Sequence, residues 1–278
     1  MTFEPHPREF FNPDQEAFRL CPFRMKAQLI AALGVDYLYV QAFDRKFSHR
    51  SAENFVEEIL VKGLEISHIV VGYDYVFGHR RGGSVELLKK LSTQYGFGVI
   101  AVEEKKLEGG ARFSSTNIRN NLKEGQCTEA AALLGRYWEI EGRVEQGDKR
   151  GRLLGFPTAN LPYKNHLHPK KGVYAVRAGV DRGVDTIWQD GVANFGNRPT
   201  FDKTDILLAA HVLDGDVDRY GKHLRVALVD YIRAERKFDS LDALKVQIAK
   251  DCDAARKCLT ACQFPDGPAP FVPVAAAV

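Results

Sequence analysis

Gly135-Arg-Tyr-Trp-Glu-Ile-Glu-Gly-Arg-Val-Glu145 is where this 278-residue chain changes character. Residues 137–145 are rich in aromatic and β-branched side chains. Runs of the same kind follow at 172–178, 186–194, 207–213 and 223–233, separated by Gly, Asp and Pro clusters with no helical pattern between them. Closely spaced strands without intervening helices predict an antiparallel barrel or sandwich. One late helix is expected, capped by Asp239 or Ser240, with Leu241, Leu244, Ile248, Cys252, Ala255 and Leu259 along one stripe.

Upstream of Gly135 the pattern alternates. Ser51 can cap a helix whose apolar face is Phe55, Val56, Ile59, Leu60 and Leu64. Residues 66–71, Ile-Ser-His-Ile-Val-Val, read as a strand buried on both faces. Ser84 can cap a second helix carrying Leu87, Leu88 and Leu91 and ending before Gly96, after which 97–102 reads as the next strand. Strands alternating with helices predict a parallel sheet with βαβ crossovers. The chain is therefore α/β followed by all-β: one domain over 1–134, a second over 135–262, and a Pro- and Ala-rich unfolded tail over 263–278.

Composition narrows the classes. A chain 45% hydrophobic and 27% charged has enough apolar residues for two cores and is not disordered as a whole. No run approaches eighteen apolar residues, and Met-Thr-Phe-Glu-Pro-His-Pro-Arg8 lacks the basic-then-apolar pattern of a secretory signal. A net charge of +3 suits anionic ligands, yet without interleaved basic and aromatic residues it does not mark a nucleic-acid-binding surface. The five cysteines, Cys21, Cys127, Cys252, Cys258 and Cys262, form no C-x-x-C pair. That argues against a disulfide framework or zinc site and for reduced thiols in a cytoplasmic protein.

Three motifs carry chemistry. Residues 113–119, Phe-Ser-Ser-Thr-Asn-Ile-Arg, open a helix at its hydroxyl-rich end, which can bind an anion or simply cap the helix with a solvated Arg119. Residues 70–83 follow a strand end, where Asp74 can accept hydrogen bonds from a ligand and Tyr73, Tyr75 and Phe77 can wall a pocket. The other reading there is a structural turn with a solvated basic patch at His79, Arg80 and Arg81. Residues 147–160, Gly-Asp-Lys-Arg-Gly-Arg-Leu-Leu-Gly-Phe-Pro-Thr-Ala-Asn, place three glycines and three cations within 147–155, a loop able to approach a polyphosphate. Thr158 and Asn160 alternate on an extended segment, so both point the same way and can hold a hydrated Mg²⁺ shared with phosphates. A plain Gly-rich hairpin is the alternative.

At these motifs the chain resembles the bacterial bifunctional riboflavin kinase/FAD synthetase family. The likeness runs from Met1 to about Cys262. It is strongest at Gly-Phe-Pro-Thr-Ala-Asn-Leu161, Gly172-Val-Tyr-Ala, Gly191-Val-Ala-Asn-Phe-Gly-Asn-Arg-Pro-Thr-Phe201, Tyr220-Gly221 and Arg233-Ala-Glu-Arg-Lys-Phe-Asp-Ser-Leu241. Phe-Glu-Pro-His-Pro7, the 72–83 loop and Ser-Ser-Thr-Asn-Ile-Arg119 look like the adenylyltransferase half. The resemblance implies an N-terminally incomplete Rossmann-like nucleotidyltransferase domain followed by an antiparallel riboflavin-kinase barrel with a C-terminal helix. It also implies two reactions: phosphorylation of riboflavin by Mg·ATP to FMN, then transfer of AMP from ATP to FMN, giving FAD and pyrophosphate. On the family's pattern Gly147, Lys149, Gly151, Arg152, Gly155, Thr158 and Asn160 hold ATP, with Thr158 and Asn160 at the metal. Asn194, Asn197, Arg198 and Arg233 lie around the flavin, and Asp74, Ser114, Ser115, Thr116 and Arg119 form the adenylyl-transfer site. No nucleic-acid or membrane partner is implied.

Two departures set further expectations. The family's adenylyltransferase half carries a His-x-Gly-His loop, and no H-x-G-H occurs here. A fragment or a gene start at an internal methionine would explain this, a true pseudo-domain is the other reading, and no adenylyl transfer is expected of the polypeptide as written. In the kinase half the family places a Glu general base two residues before a His. Here Leu207-Leu-Ala-Ala-His-Val-Leu-Asp214 puts Ala209 at that position. His211, an even number of residues away, faces the same side of a regular strand and could substitute, as could Asp214 in a different register. If the position matters, Ala209→Glu raises the kinase rate. A flavin-binding protein with impaired catalysis is the alternative.

Overall fold

The computed structural model describes residues 1–106, 110, 112–145, 151, 154–163, 166–197, 206–214 and 220–262. By packing the chain forms two compact units, Met1–Gln15 with Tyr37–Phe113, and Glu16–Asp36 with Ser114–Val278. The division expected at 134/135 follows the change of element type; packing places Glu16–Asp36 and residues 114–134 with the barrel. The expected tail at 263–278 lies outside the described residues.

In the first unit β1 (Thr2–Glu4) pairs in parallel with β2 (Val40–Ala42), and β3 (His68–Gly72) with β4 (Gly98–Val102). The crossover from β3 to β4 is the helix Val85–Tyr95, capped by Ser84, whose hydroxyl accepts from Leu87 N–H, and ended by Gly96 in a left-handed conformation. Ser51 caps the other expected helix, but only Ala52–Asn54 is α-helical. Phe55–Val61 continues as a π-helix that still buries Phe55, Val56 and Leu60. The β3 strand is not buried on both faces as expected. Val71 is inside, while Val70 is 61% exposed and its neighbour Ile100 52%. A two-stranded sheet has a helix to cover one face only, and the alternate residues stay outside.

The second unit carries β5 (Trp138–Arg143), β6 (Ala159–Pro162), β7 (Gly172–Val180), β8 (Gln189–Asn197), β9 (Ile206–Val212) and β10 (His223–Arg233). They form an antiparallel sheet in the order β5-β10-β7-β8-β9-β6. A single bridge from Glu145 N–H to Asn160 O, 2.9 Å, brings the chain beyond β5 back to β6, so the barrel is nearly closed. Alternation sorts the side chains. Ile140, Leu161, Tyr174, Val176, Phe195, Leu208, Val226 and Leu228 share the inner face and are almost wholly buried. On the other face Val173, Ala175, Val192, Ala227 and Val229 form a second core with Cys252, Ala255 and Leu259 of the C-terminal helix Leu241–Ala261. Ser240 caps that helix by accepting from Ala243 N–H. Leu241, expected on its buried stripe, is 67% exposed because the first turn precedes the contact with the sheet.

Candidate active site

Strand register builds the site. Asn160 lies opposite Ala209, Ala209 opposite Asn194, Asn194 opposite Val173, and Val173 opposite Arg233. Directly opposed residues share a face, so Asn160, Ala209, Asn194 and Arg233 line one row across five strands. Thr158, two residues before Asn160, continues the same side. Gly151 presses on this segment: its carbonyl accepts from Phe156 N–H at 2.8 Å, and a Cβ on it would lie 2.5 Å from Phe156 O and 3.0 Å from Thr158 Oγ1. Only glycine lets that main chain come so close. Gly155 sits in the left-handed region at φ +86°. Gly147, Lys149, Arg152 and Arg198 lie outside the described residues.

The acids and bases near the row have distinct partners. His211 Nδ1 lies 2.8 Å from Pro157 O, a carbonyl that can only accept, so Nδ1 donates there. Asp214 lies beyond the end of β9, where the Arg256 guanidinium grips both its oxygens at 2.9 and 3.0 Å and holds its carboxyl below the usual range. Such a carboxylate is a weak proton acceptor. Arg233 donates through Nε and Nη2 to buried Asp251 at 2.8 and 2.6 Å and through Nη1 to Ala234 O, tying β10 to the C-terminal helix. Asn197 accepts from Lys171 Nζ at 2.9 Å, and Asn194 Nδ2 donates to Glu235 Oε1 at 3.0 Å.

The hydroxyl-rich motif opens the helix Ser115–Glu124, with Ser114 as its cap accepting from Asn117 N–H at 3.1 Å. Ser115 and Thr116 form the first turn. Arg119 Nε donates to Phe18 O at 2.8 Å, its guanidinium 5.5 Å from the centre of the Phe18 ring. In the other unit Asp74 is exposed on the turn after β3. The aromatic wall expected beside it does not form. Phe77 is in the core, Tyr75 stacks on it with centroids 5.4 Å apart, and Tyr73 is exposed, hydrogen-bonded to Glu104 and Arg112. A bridge between Phe77 and Gly83 folds the loop back and draws Phe77 inward.

Two family models match the chain. The riboflavin kinase family model matches residues 134–259 and the FAD synthetase model residues 1–117. The bifunctional riboflavin kinase/FMN adenylyltransferase of Escherichia coli K12 is 43% identical over 92% of this chain and 81% of its own length. The chain belongs to that family. The Haemophilus influenzae member is 38% identical over 92% of this chain and 82% of its own. A crystal structure described as a macrolide-efflux protein from Streptococcus pneumoniae superposes with a TM-score of 0.78 at 30% identity, covering 91% of this chain and 81% of that one.

Within this bifunctional family's kinase half, sequence reading gave no role to Glu235 and Gly196, although both lie within its motifs. Neither lies at a position that periodicity marks; only the fold brings the segment after β10 over β8. It also missed Arg24, which pairs with buried Glu141 at 2.8 Å and with Asp181. The thiols of Cys252 and Cys258 are pushed up by burial to about 11 and about 12, as suits packing residues. Among the described residues no helix is long and apolar enough to cross a membrane.

Proposed function

We propose that the barrel unit transfers the γ-phosphoryl group of ATP to the 5′-hydroxyl of riboflavin, giving FMN and ADP. The row Asn160–Ala209–Asn194 beside Thr158, with Gly151 packed against it, carries this reading. Thr158 and Asn160 offer neutral oxygens two residues apart, the hard donor set that suits Mg²⁺ shared with ATP phosphates. When bound, the cation neutralises charge on the phosphoryl group. The chain's own contribution is position. Main chain at Gly151 and Gly155, with Gly147, Lys149 and Arg152 of the same loop, holds the nucleotide, while Asn194, Asn197, Arg198 and Arg233 surround the flavin. A reaction of this type depends chiefly on alignment and charge stabilisation.

In the same reading Asp74, Ser114, Ser115, Thr116 and Arg119 serve the adenylyl transfer that makes FAD from FMN and a second ATP. Residues 1–134 and 135–262 then divide the two reactions in a cytoplasmic enzyme. The test incubates the chain with riboflavin, ATP and Mg²⁺ and separates the flavins by chromatography with fluorescence detection. FMN is the product expected of the barrel unit. Riboflavin retained by the protein without conversion would overturn the kinase reading in favour of a binding protein. FAD in the same run would establish that adenylyl transfer proceeds without an H-x-G-H sequence.

A further inference from the structure

We infer that Glu235 is the proton acceptor for the substrate hydroxyl in the barrel. The inference rests on the kinase reading above. An alcohol attacking phosphorus loses its proton, and the row facing the bound nucleotide offers at its centre only the amides of Asn160 and Asn194 and the methyl of Ala209. The segment after β10 brings a carboxylate there. Glu235 Oε1 accepts from Asn194 Nδ2 at 3.0 Å, and Oε2 has no hydrogen-bond partner among the described residues.

Gly196 leaves room for this placement. It lies two residues from Asn194, hence on the same side, and a Cβ there would land on the Glu235 carboxylate. Its φ is not in the left-handed region, so backbone conformation does not call for glycine at 196. A larger side chain there would push the exposed carboxylate aside. The competing acids are engaged: Asp251 is buried between Arg233 and Gln247, and Asp214 is gripped by Arg256.

In the step, the hydroxyl O–H bond breaks and its proton passes to Glu235 Oε2. The oxygen forms a bond to the γ-phosphorus, and the bond from that phosphorus to the β–γ bridging oxygen breaks, its electron pair leaving with ADP. Glu235 then returns the proton to water.

The test measures kcat, KM for riboflavin and the pH–rate profile of five chains: unmodified, Glu235→Gln, Gly196→Ala, His211→Gln and the double variant Ala209→Glu/Glu235→Gln. Glutamine keeps the volume and an oxygen to accept from Asn194, and loses only the charge. Expected are a fall in kcat of about 10²–10⁴-fold with KM nearly unchanged, loss of the acidic limb of the profile, and substantial recovery in the double variant. Recovery is expected because position 209 lies on the same face. Gly196→Ala is expected to lower kcat by displacing the carboxylate while keeping the acidic limb. An unmodified kcat and profile in Glu235→Gln overturn the inference, as does transfer of the acidic limb to His211, seen as its loss in His211→Gln. If the unmodified chain makes no FMN, the kinase reading itself has failed.

Discussion

Gly172 opens β7 at φ +151°, and a Cβ there would lie 2.6 and 2.8 Å from Tyr231 Cε2 and the Tyr231 hydroxyl oxygen and also strike the main chain at Arg233. Gly172→Ala is therefore expected to destabilise the barrel by roughly 1–3 kcal/mol, read as a lower urea midpoint. Arg233 offers a sharper case. Its side chain is half-buried and pairs with a carboxylate on Asp251 that is nearly inaccessible. Arg233→Ala leaves that charge buried and unpaired, at a cost of about 3–5 kcal/mol. Loss of riboflavin affinity with no change in the urea midpoint would mean that Arg233 serves the ligand and not the fold. These roles were only half legible in the sequence. Ala209 stood out against its motif, but the neighbours that give it meaning, Asn160 and Asn194, lie on other strands, and only register brings them together.

At the scale of elements, the C-terminal helix was legible because Leu244, Ile248, Cys252, Ala255 and Leu259 repeat at helical spacing. The β-runs were legible from their composition and lie within a few residues of β5, β7, β8, β9 and β10. The π-helical turn at Phe55–Val61 was not, because its apolar residues fit a 3.6-residue period equally well. Nor was the attachment of Glu16–Asp36 to the barrel, which depends on contacts such as Arg24 with Glu141, 117 residues apart. The C-terminal helix supports the face opposite the barrel interior, and Leu259 is 1% exposed there. Leu259→Ala is expected to cost about 2–5 kcal/mol through the cavity it leaves, measured by chemical denaturation. A change below 0.5 kcal/mol would mean that the helix is peripheral to the fold.

Across the whole molecule, acid sensitivity follows from histidines held neutral. Burial lowers the proton affinity of His223, and Arg24 and Arg143 add to it against the opposing Glu141 and Asp181. Burial also lowers that of His168, with Lys171 and Lys123 in the same sense and Glu16 opposing. The unfolded chain binds these protons more readily, so the stability they confer is complete above an unfolded value of about 6.5. It is lost as pH falls through the lower folded values. The urea midpoint is expected to decline from pH 7 to 5, and His223→Gln to flatten that slope; an equal slope in the variant would assign the effect elsewhere. The barrel's closure has a different consequence. The main-chain oxygen of Asn160 fastens the seam of the cylinder to Glu145, while its side chain belongs to the proposed nucleotide site. The same residue is thus clasp and ligand, and nucleotide should act as a buckle on the barrel. Saturating Mg·ATP is then expected to slow amide exchange at Glu145 and to raise the melting temperature with the logarithm of nucleotide concentration.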